Sequence, residues 1–413
     1  MEKVEEKRFK ILTFVFAGSG HNIPFYPIIN ELKTKHKTID VIVYSAENYK
    51  TKFENVGAVF KPIQFDEQKL LPVLPEGNKK DFLLFFMLSK LIQVTSDNVD
   101  YLAREIDNEN PDLIIYDMTL PGKYFFMIHD YYQKCYEQND QDHQNSFKPK
   151  HKLPPLVGYS PSFCQQMNVY PNKVEMSKFS ENTNLFSFRV LWQILVFLFV
   201  HFKFCFKFGL GFVNPFKSLL RVTLPNTKFT ITTVFPELQP RFNLFDKENK
   251  FVGSTINESI NNAVVYSSLK DDSVKNILET FKIKDNKVNI LDDDDDQKLI
   301  YVSLGTTFND KLEIFKMIFE AFKAFDLEPN ETKSKIRSKN IKLLVSLGDK
   351  CYAKLQELLN KKDYLLPDNI VLVKMSPQTE ILKRASLFVT HCGMNSTSES
   401  IHYGGKVFFK LLF

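Results

Sequence analysis

The chain lacks a stretch long and greasy enough to cross a bilayer, a paired-cysteine spacing and a basic stripe. Its longest apolar run, residues 190–202 (V-L-W-Q-I-L-V-F-L-F-V-H-F), spans 13 residues and holds a Gln and a His, short of the ~20 that a membrane helix needs. The apolar run at 11–17 is too short, and too soon followed by Gly and His, for a signal h-region, so a cytoplasmic protein is expected. Cys135, Cys164, Cys205, Cys351 and Cys392 share no C-x-x-C spacing and read as reduced thiols. The net charge of +5 is the remainder of 54 basic and 49 acidic side chains, dispersed rather than interleaved with aromatics as nucleic-acid binding asks. Five consecutive Asp at 292–296 lie in a low-complexity loop without the preorganised geometry a cation needs, and no metal is expected.

What is present is a soluble globular balance, 44% hydrophobic and 25% charged, with an excess of Phe at 40 of 413 residues. That length fits two domains, and the Phe excess suggests a greasy pocket or a sticky surface. Apolar runs of strand length alternate with helical periodicity. Strands are expected at 11–17, 39–44, 58–63, 112–116, 156–160 and 229–234, with helices over 22–35, 47–56 and 81–106 among them. After a Pro-containing connector at 235–241, the run 251–253 opens a second half. Its strands are expected at 299–304, 341–347, 370–374, 387–390 and 407–412, each but the last followed by a helix. Two consecutive β/α halves, 1–240 and 241–413, predict two facing parallel-sheet domains.

The densest motif is His391 to Ser400, H-C-G-M-N-S-T-S-E-S. A strand, a tight Gly turn and a helix start gather backbone N–H groups and a positive dipole end at one point, which suits a phosphate. Glu399, two helical turns on, could then reach a ribose hydroxyl. Ser396 and Glu399 also have the spacing of a capping box, and both readings stand at this level. A second strand-to-helix turn, Gly18-Ser19-Gly20-His21, follows the first strand, where α/β folds place ligands.

The ordered set G-S-G-H-N-I-P (18–24), P-D-L-I-I-Y-D (111–117), F-V-G (251–253), Y-V-S-L-G-T (301–306), P-Q-T-E-I-L (377–382) and F-V-T-H-C-G-M-N-S-T-S-E-S-I-H-Y-G-G (388–405) resembles the UDP-glycosyltransferase family. The resemblance implies a GT-B fold of two Rossmann-like domains: an acceptor-binding one (1–240) and a nucleotide-sugar-binding one (241–413). It implies an inverting transfer of a hexose, glucose by expectation, from a UDP-sugar to a hydroxyl of a small lipophilic acceptor. His21 would be the base and Asp117 its partner. Ser303, Gly305 and Thr306 would lie beside the phosphates, Gln378 against the uracil and ribose, and His391 on the diphosphate. Gly393, Asn395 and Ser396 would form the phosphate turn, and Glu399 would hold the ribose. No cofactor beyond the donor is implied.

Met375 stands where many relatives have an aromatic, and Gly405-Lys406-Val407 where they have G-V-P. Relatives continue past the last strand into a loop that holds the sugar hydroxyls, so the resemblance implies a member whose second domain is incomplete, the alternative being an impaired relative that binds a nucleotide or lipid. The Phe-rich segments 82–87 and 185–216 are expected to wall the acceptor pocket, and 190–216, with cations among its aromatics, also fits peripheral membrane contact.

Overall fold

A computed structural model of the chain describes residues 8–16, 18–63, 84–119, 124–137, 147–164, 188–210, 223–256, 272–283, 297–305, 311–327, 341–404 and 407–409. The chain divides into two compact units, Met1–Thr255 and Ile256–Phe413. Thr306, the acidic run 292–296, residues 138–146, 405–406 and 410–413, and the side chains of 82–87 lie outside the described residues.

In the first unit, β1 (Phe9–Phe14) is followed by α1 (Ser19–Asn22), α2 (Phe25–Lys35), β2 (Ile39–Ser45), α3 (Lys50–Asn55) and β3 (Val59–Pro62). Next come α4 (Leu84–Ser96), α5 (Val99–Glu109), β4 (Leu113–Asp117), α6 (Tyr124–Glu137), β5 (Leu156–Ser160), α7 (Phe188–Lys207), β6 (Thr227–Thr232) and β7 (Asn249–Phe251). The sheet is parallel throughout, in the order β3-β2-β1-β4-β5-β6-β7. Helices cover both faces of such a sheet, which is why its central strands read as continuous apolar runs. One face carries Phe14, Tyr44 and Tyr116 against Phe125, with Phe14 centroids 5.0 Å from Tyr44 and 4.7 Å from Phe125. On the other, Phe25 of α2 lies 4.8 Å from the Tyr159 ring. Of the Phe-rich segment expected to wall a pocket, Phe197, Phe204 and Phe208 fill the core.

Three local differences from the sequence reading have clear causes. The helix expected over 81–106 is two, because the Asn98 amide turns back to the Val94 carbonyl at 3.1 Å and competes with helix continuation. The helix expected over 22–35 starts at Phe25, with Pro24 as its cap, and a separate turn of helix carries His21. The run 251–253, expected to open the second half, ends β7 at the edge of the first sheet. There the Thr230 hydroxyl meets the Asn249 side-chain oxygen at 2.7 Å.

In the second unit, α8 (Asp272–Thr280), β8 (Lys298–Ser303), α9 (Leu312–Leu327), β9 (Ile341–Ser346), α10 (Gly348–Asn360), β10 (Ile370–Val373), α11 (Gln378–Leu382), β11 (Leu387–Thr390), α12 (Met394–His402) and β12 (Val407–Phe409) form a parallel sheet in the order β10-β9-β8-β11-β12. Alternation along β8 and β9 splits the core in two. Leu299, Tyr301 and Leu344 pack with α8 and α11, whereas Val302, Leu343 and Val345 pack with α9 and α10.

Backbone closeness at the centre of the first sheet gives a stability test. A Cβ on Gly158 of β5 would lie 2.8 Å from Thr230 Cγ2 and 3.0 Å from Met118 Sδ, whereas one on Gly20 would meet nothing within 4 Å. Gly158→Ala is expected to cost about 1–3 kcal/mol and Gly20→Ala to stay within about 0.5 kcal/mol. Urea unfolding of both variants checks this; equal midpoints would contradict the packing described.

Candidate functional site

Each sheet reverses its strand order beside its first strand, between β1 and β4 and between β8 and β11. Successive helices leave such a point toward opposite faces, which opens a crevice at the carboxyl edge. The turns that leave these four strands carry most of the residues singled out above.

At the first switch point, β1 delivers the chain through Val15 and Phe16 to α1. His21 donates its backbone N–H to the Gly18 carbonyl at 2.9 Å. Its ring Nδ1 lies 2.5 Å from Asp117 Oδ2, at the end of β4. A carboxylate only accepts, so Nδ1 is the donor, and in the neutral form of the ring the lone pair lies on Nε2. The Asp117 side chain is fully buried and that of His21 keeps 18% exposure. A buried carboxylate needs donors, and Asp117 has them. Its Oδ1 accepts from the Thr119 hydroxyl at 2.6 Å and the Thr119 N–H at 3.0 Å, and its Oδ2 also faces the Phe16 N–H at 3.3 Å.

Two further side chains fix the turn. The buried Asn22 amide donates to the Phe16 and Gly18 carbonyls at 2.9 and 2.8 Å, and the Tyr159 hydroxyl donates to the His21 carbonyl at 2.8 Å. Sequence reading missed Asn22, Thr119 and Tyr159. Thr119 alone carried a signal, since Asp-x-Thr after a strand is a ready Asx turn.

At the second switch point, the register pairs Ser303 with Thr390, so the exits of β8 and β11 lie side by side. His391 sits between two glycines. A Cβ on Gly305 would overlap its Cε1, and one on Gly393 would come within 2.8 Å of its Nε2. Gly305 has φ +65°, and the intervening Cys392 takes φ +67°, a left-handed conformation unfavourable to a side chain. Burial lowers the His391 pKa from its ordinary value of 6.5, so the ring is neutral at neutral pH.

Helix α12 has Gly393 as its N-cap residue, without a side-chain cap bond and without an acidic residue in its first turn. Ser396 therefore lies inside the helix, and the capping box open from the sequence is not formed. Gln378, first residue of α11, bridges to α12 instead. Its Nε2 donates to Glu399 Oε2 at 2.7 Å and to Ser396 Oγ at 3.2 Å. Tyr301, missed by sequence reading, supports the bridge with its hydroxyl 3.5 Å from Gln378 Oε1 and 2.8 Å from Ser376 Oγ. Burial raises the Glu399 pKa above the usual 4.5, opposed by the Gln378 bond. Asn395 lies in the first turn of α12, and Met375 is 72% exposed ahead of α11. A helix start without a side-chain cap, a dipole end without a neutralising carboxylate and a neutral imidazole are groups that an anion can use, and Glu399 and Gln378 lie beside them.

No protein-family model matches the chain. A Bacillus subtilis protein described as an uncharacterized UDP-glucosyltransferase, YojK, is 24% identical over 396 residues, covering 95% of this chain and 77% of that one. Among solved structures, the glycotransferase of kitacinnamycin matches with a TM-score of 0.62 at 16% identity, over 97% of this chain and 80% of its own. The Phytolacca americana UGT2, complexed with UDP-2fluoro-glucose and pterostilbene, matches with a TM-score of 0.53 at 14% identity, over 99% and 81%. Two parallel sheets that match GT-B glycosyltransferases over nearly the whole chain, and a relative named as a UDP-glucosyltransferase aligned along 95% of it, give the protein the GT-B fold and a likeness to glycosyltransferases of the UDP-glucosyltransferase kind.

Proposed function

We propose that the protein moves a hexose, glucose by preference, from a UDP-sugar to a hydroxyl of a small lipophilic acceptor, with inversion at the sugar carbon. The observation that carries this reading is the 2.5 Å contact between His21 Nδ1 and the buried Asp117. An alcohol attacks a sugar carbon poorly unless a base takes its proton as the bond forms. His21 Nε2, with its lone pair, is that base in our reading. As the acceptor oxygen bonds to the anomeric carbon, its proton passes to Nε2, the bond to the UDP oxygen breaks, and Asp117 stabilises the imidazolium. A single displacement from the face opposite the leaving group inverts the centre.

For the departing UDP we assign the diphosphate to the start of α12 and to His391, where N–H groups face developing negative charge. Ser303, Gly305, Gly393, Asn395 and Ser396 would line this anion site, Gln378 would meet the base and ribose, and Glu399 the ribose hydroxyls. UDP-2fluoro-glucose in the Phytolacca americana structure is consistent with such a donor, and its pterostilbene with a lipophilic acceptor.

Replacing His21 by Ala is expected to lower kcat/KM by roughly 10²–10⁴-fold, with UDP affinity by calorimetry unchanged; full turnover in that variant would remove the proposed base. A titration with UDP and then with UDP-glucose tests the donor, since equal affinities would speak for a nucleotide binder.

Glu399→Gln is expected to weaken UDP binding by about tenfold or more. The same change should alter the stability profile. With its folded pKa above the ordinary 4.5, the native state holds the extra proton between the two values, so the parent loses stability as pH rises through that window. Thermal melts of the variant should lack this fall, and parallel pH profiles would contradict the burial described.

Gly305→Ala, which drives a Cβ into His391 at a positive φ, should cost about 1 kcal/mol or more of stability and reduce UDP affinity. Calorimetry showing unaltered affinity would separate His391 from the diphosphate.

A further inference from the structure

Helix α7 buries one face in the first unit, where Phe197, Val200, Phe204 and Cys205 join the core, followed by Phe208 just past its end. Its other face is apolar and exposed. Leu191 is 45% exposed, Trp192 61%, Leu195 59%, Phe199 69%, Phe202 36% and Phe206 91%. At 100° per residue these six positions fall within one arc of about 100°. A soluble helix normally gives that arc to polar residues.

Within α7 and the neighbouring helix α4 the charges have one sign. Residues 84–96 and 188–207, which include the neighbouring helix α4, contain Lys90, Arg189, Lys203 and Lys207 and no Asp or Glu. Lys203 and Lys207 are exposed, one and two turns along the same side of α7. Lys207 also reaches the Ser96 carbonyl of α4 at 3.2 Å. None of the described helices is long and apolar enough to cross a membrane. A greasy arc bordered by cations, with a Trp and large Phe side chains, is the composition of a helix that lies in the plane of a bilayer. Long cationic side chains can then reach outward to anionic headgroups.

We propose that the exposed arc of α7 is a docking face for an anionic membrane surface, on which the helix rests parallel to the bilayer. The inference does not depend on the roles given to His21 or α12.

Trp192 is the chain's single Trp, so intrinsic emission reads this face directly. Vesicles of phosphatidylcholine with phosphatidylserine, added to the full chain, should shift that emission to the blue and co-sediment the protein; vesicles of phosphatidylcholine alone should do so far less, and salt should reverse the effect. Phe199→Glu and Leu195→Glu, both at exposed positions, are expected to reduce partitioning by about tenfold or more, and Lys203→Glu to weaken it while leaving the circular dichroism unchanged. Emission and sedimentation indifferent to anionic vesicles would overturn the proposal. So would undiminished partitioning of the Glu variants. A blue shift that grows with protein concentration in the absence of lipid would assign the face to a second copy instead, and would equally overturn it.

Discussion

Everything functional in this chain depends on a constraint of parallel sheets. Strands that all run one way end on one edge, and helices that cover both faces must part somewhere along that edge. The parting comes beside β1 in the first sheet and beside β8 in the second. It sets the turn after β1 next to the end of β4, which is why residues 96 apart in sequence, His21 and Asp117, meet at 2.5 Å. It also sets the turn after β8 next to that after β11, so that Gly305 and His391 pack on each other. The same topology thus produces two chemically different places: a His–Asp pair in one unit and a helix start without a side-chain cap beside His391 in the other.

Both places satisfy their buried polar groups by different means. Asp117, fully buried, is surrounded by donors from Thr119, Phe16 and His21, and its orientation is fixed by backbone as well as side chains. Around Glu399 the arrangement is leaner, a Gln378 amide and burial that favours the protonated form. One carboxyl is held ready by its partners; the other is left with capacity for an additional donor, as a ribose hydroxyl would be. The left-handed Cys392 is a local strain of the kind that surrounding structure must sustain, and here it lies between His391 and the first residue of the helix cap.

The sequence exposed the alternation of strands and helices because both faces of each sheet are covered, making the strands nearly uniform runs of Val, Ile, Leu and Phe. It was less able to fix where helices start. Ser396 and Glu399 have capping-box spacing whichever residue caps α12, and the choice of Gly393 follows from the backbone path through Cys392, which neighbouring strands decide. Strand β7 was misread because N-K-F is short and polar, with nothing but its pairing to β6 to mark it. Asn22 and Tyr159 act through contacts to main-chain carbonyls, and no spacing rule signals a partner that every residue possesses. The exposed arc of α7 was legible only as greasiness; which side chains faced inward required the packing against α4.

The two sets of residues are also segregated along the chain. His21, Asp117 and the side chains that hold them all precede Thr255, whereas Gly305, Gln378, His391 and Glu399 all follow Ile256. A genetic crossover at that junction would hand down each set intact. Recombination at that point would exchange one set of side-chain contacts while leaving every contact of the other set unbroken.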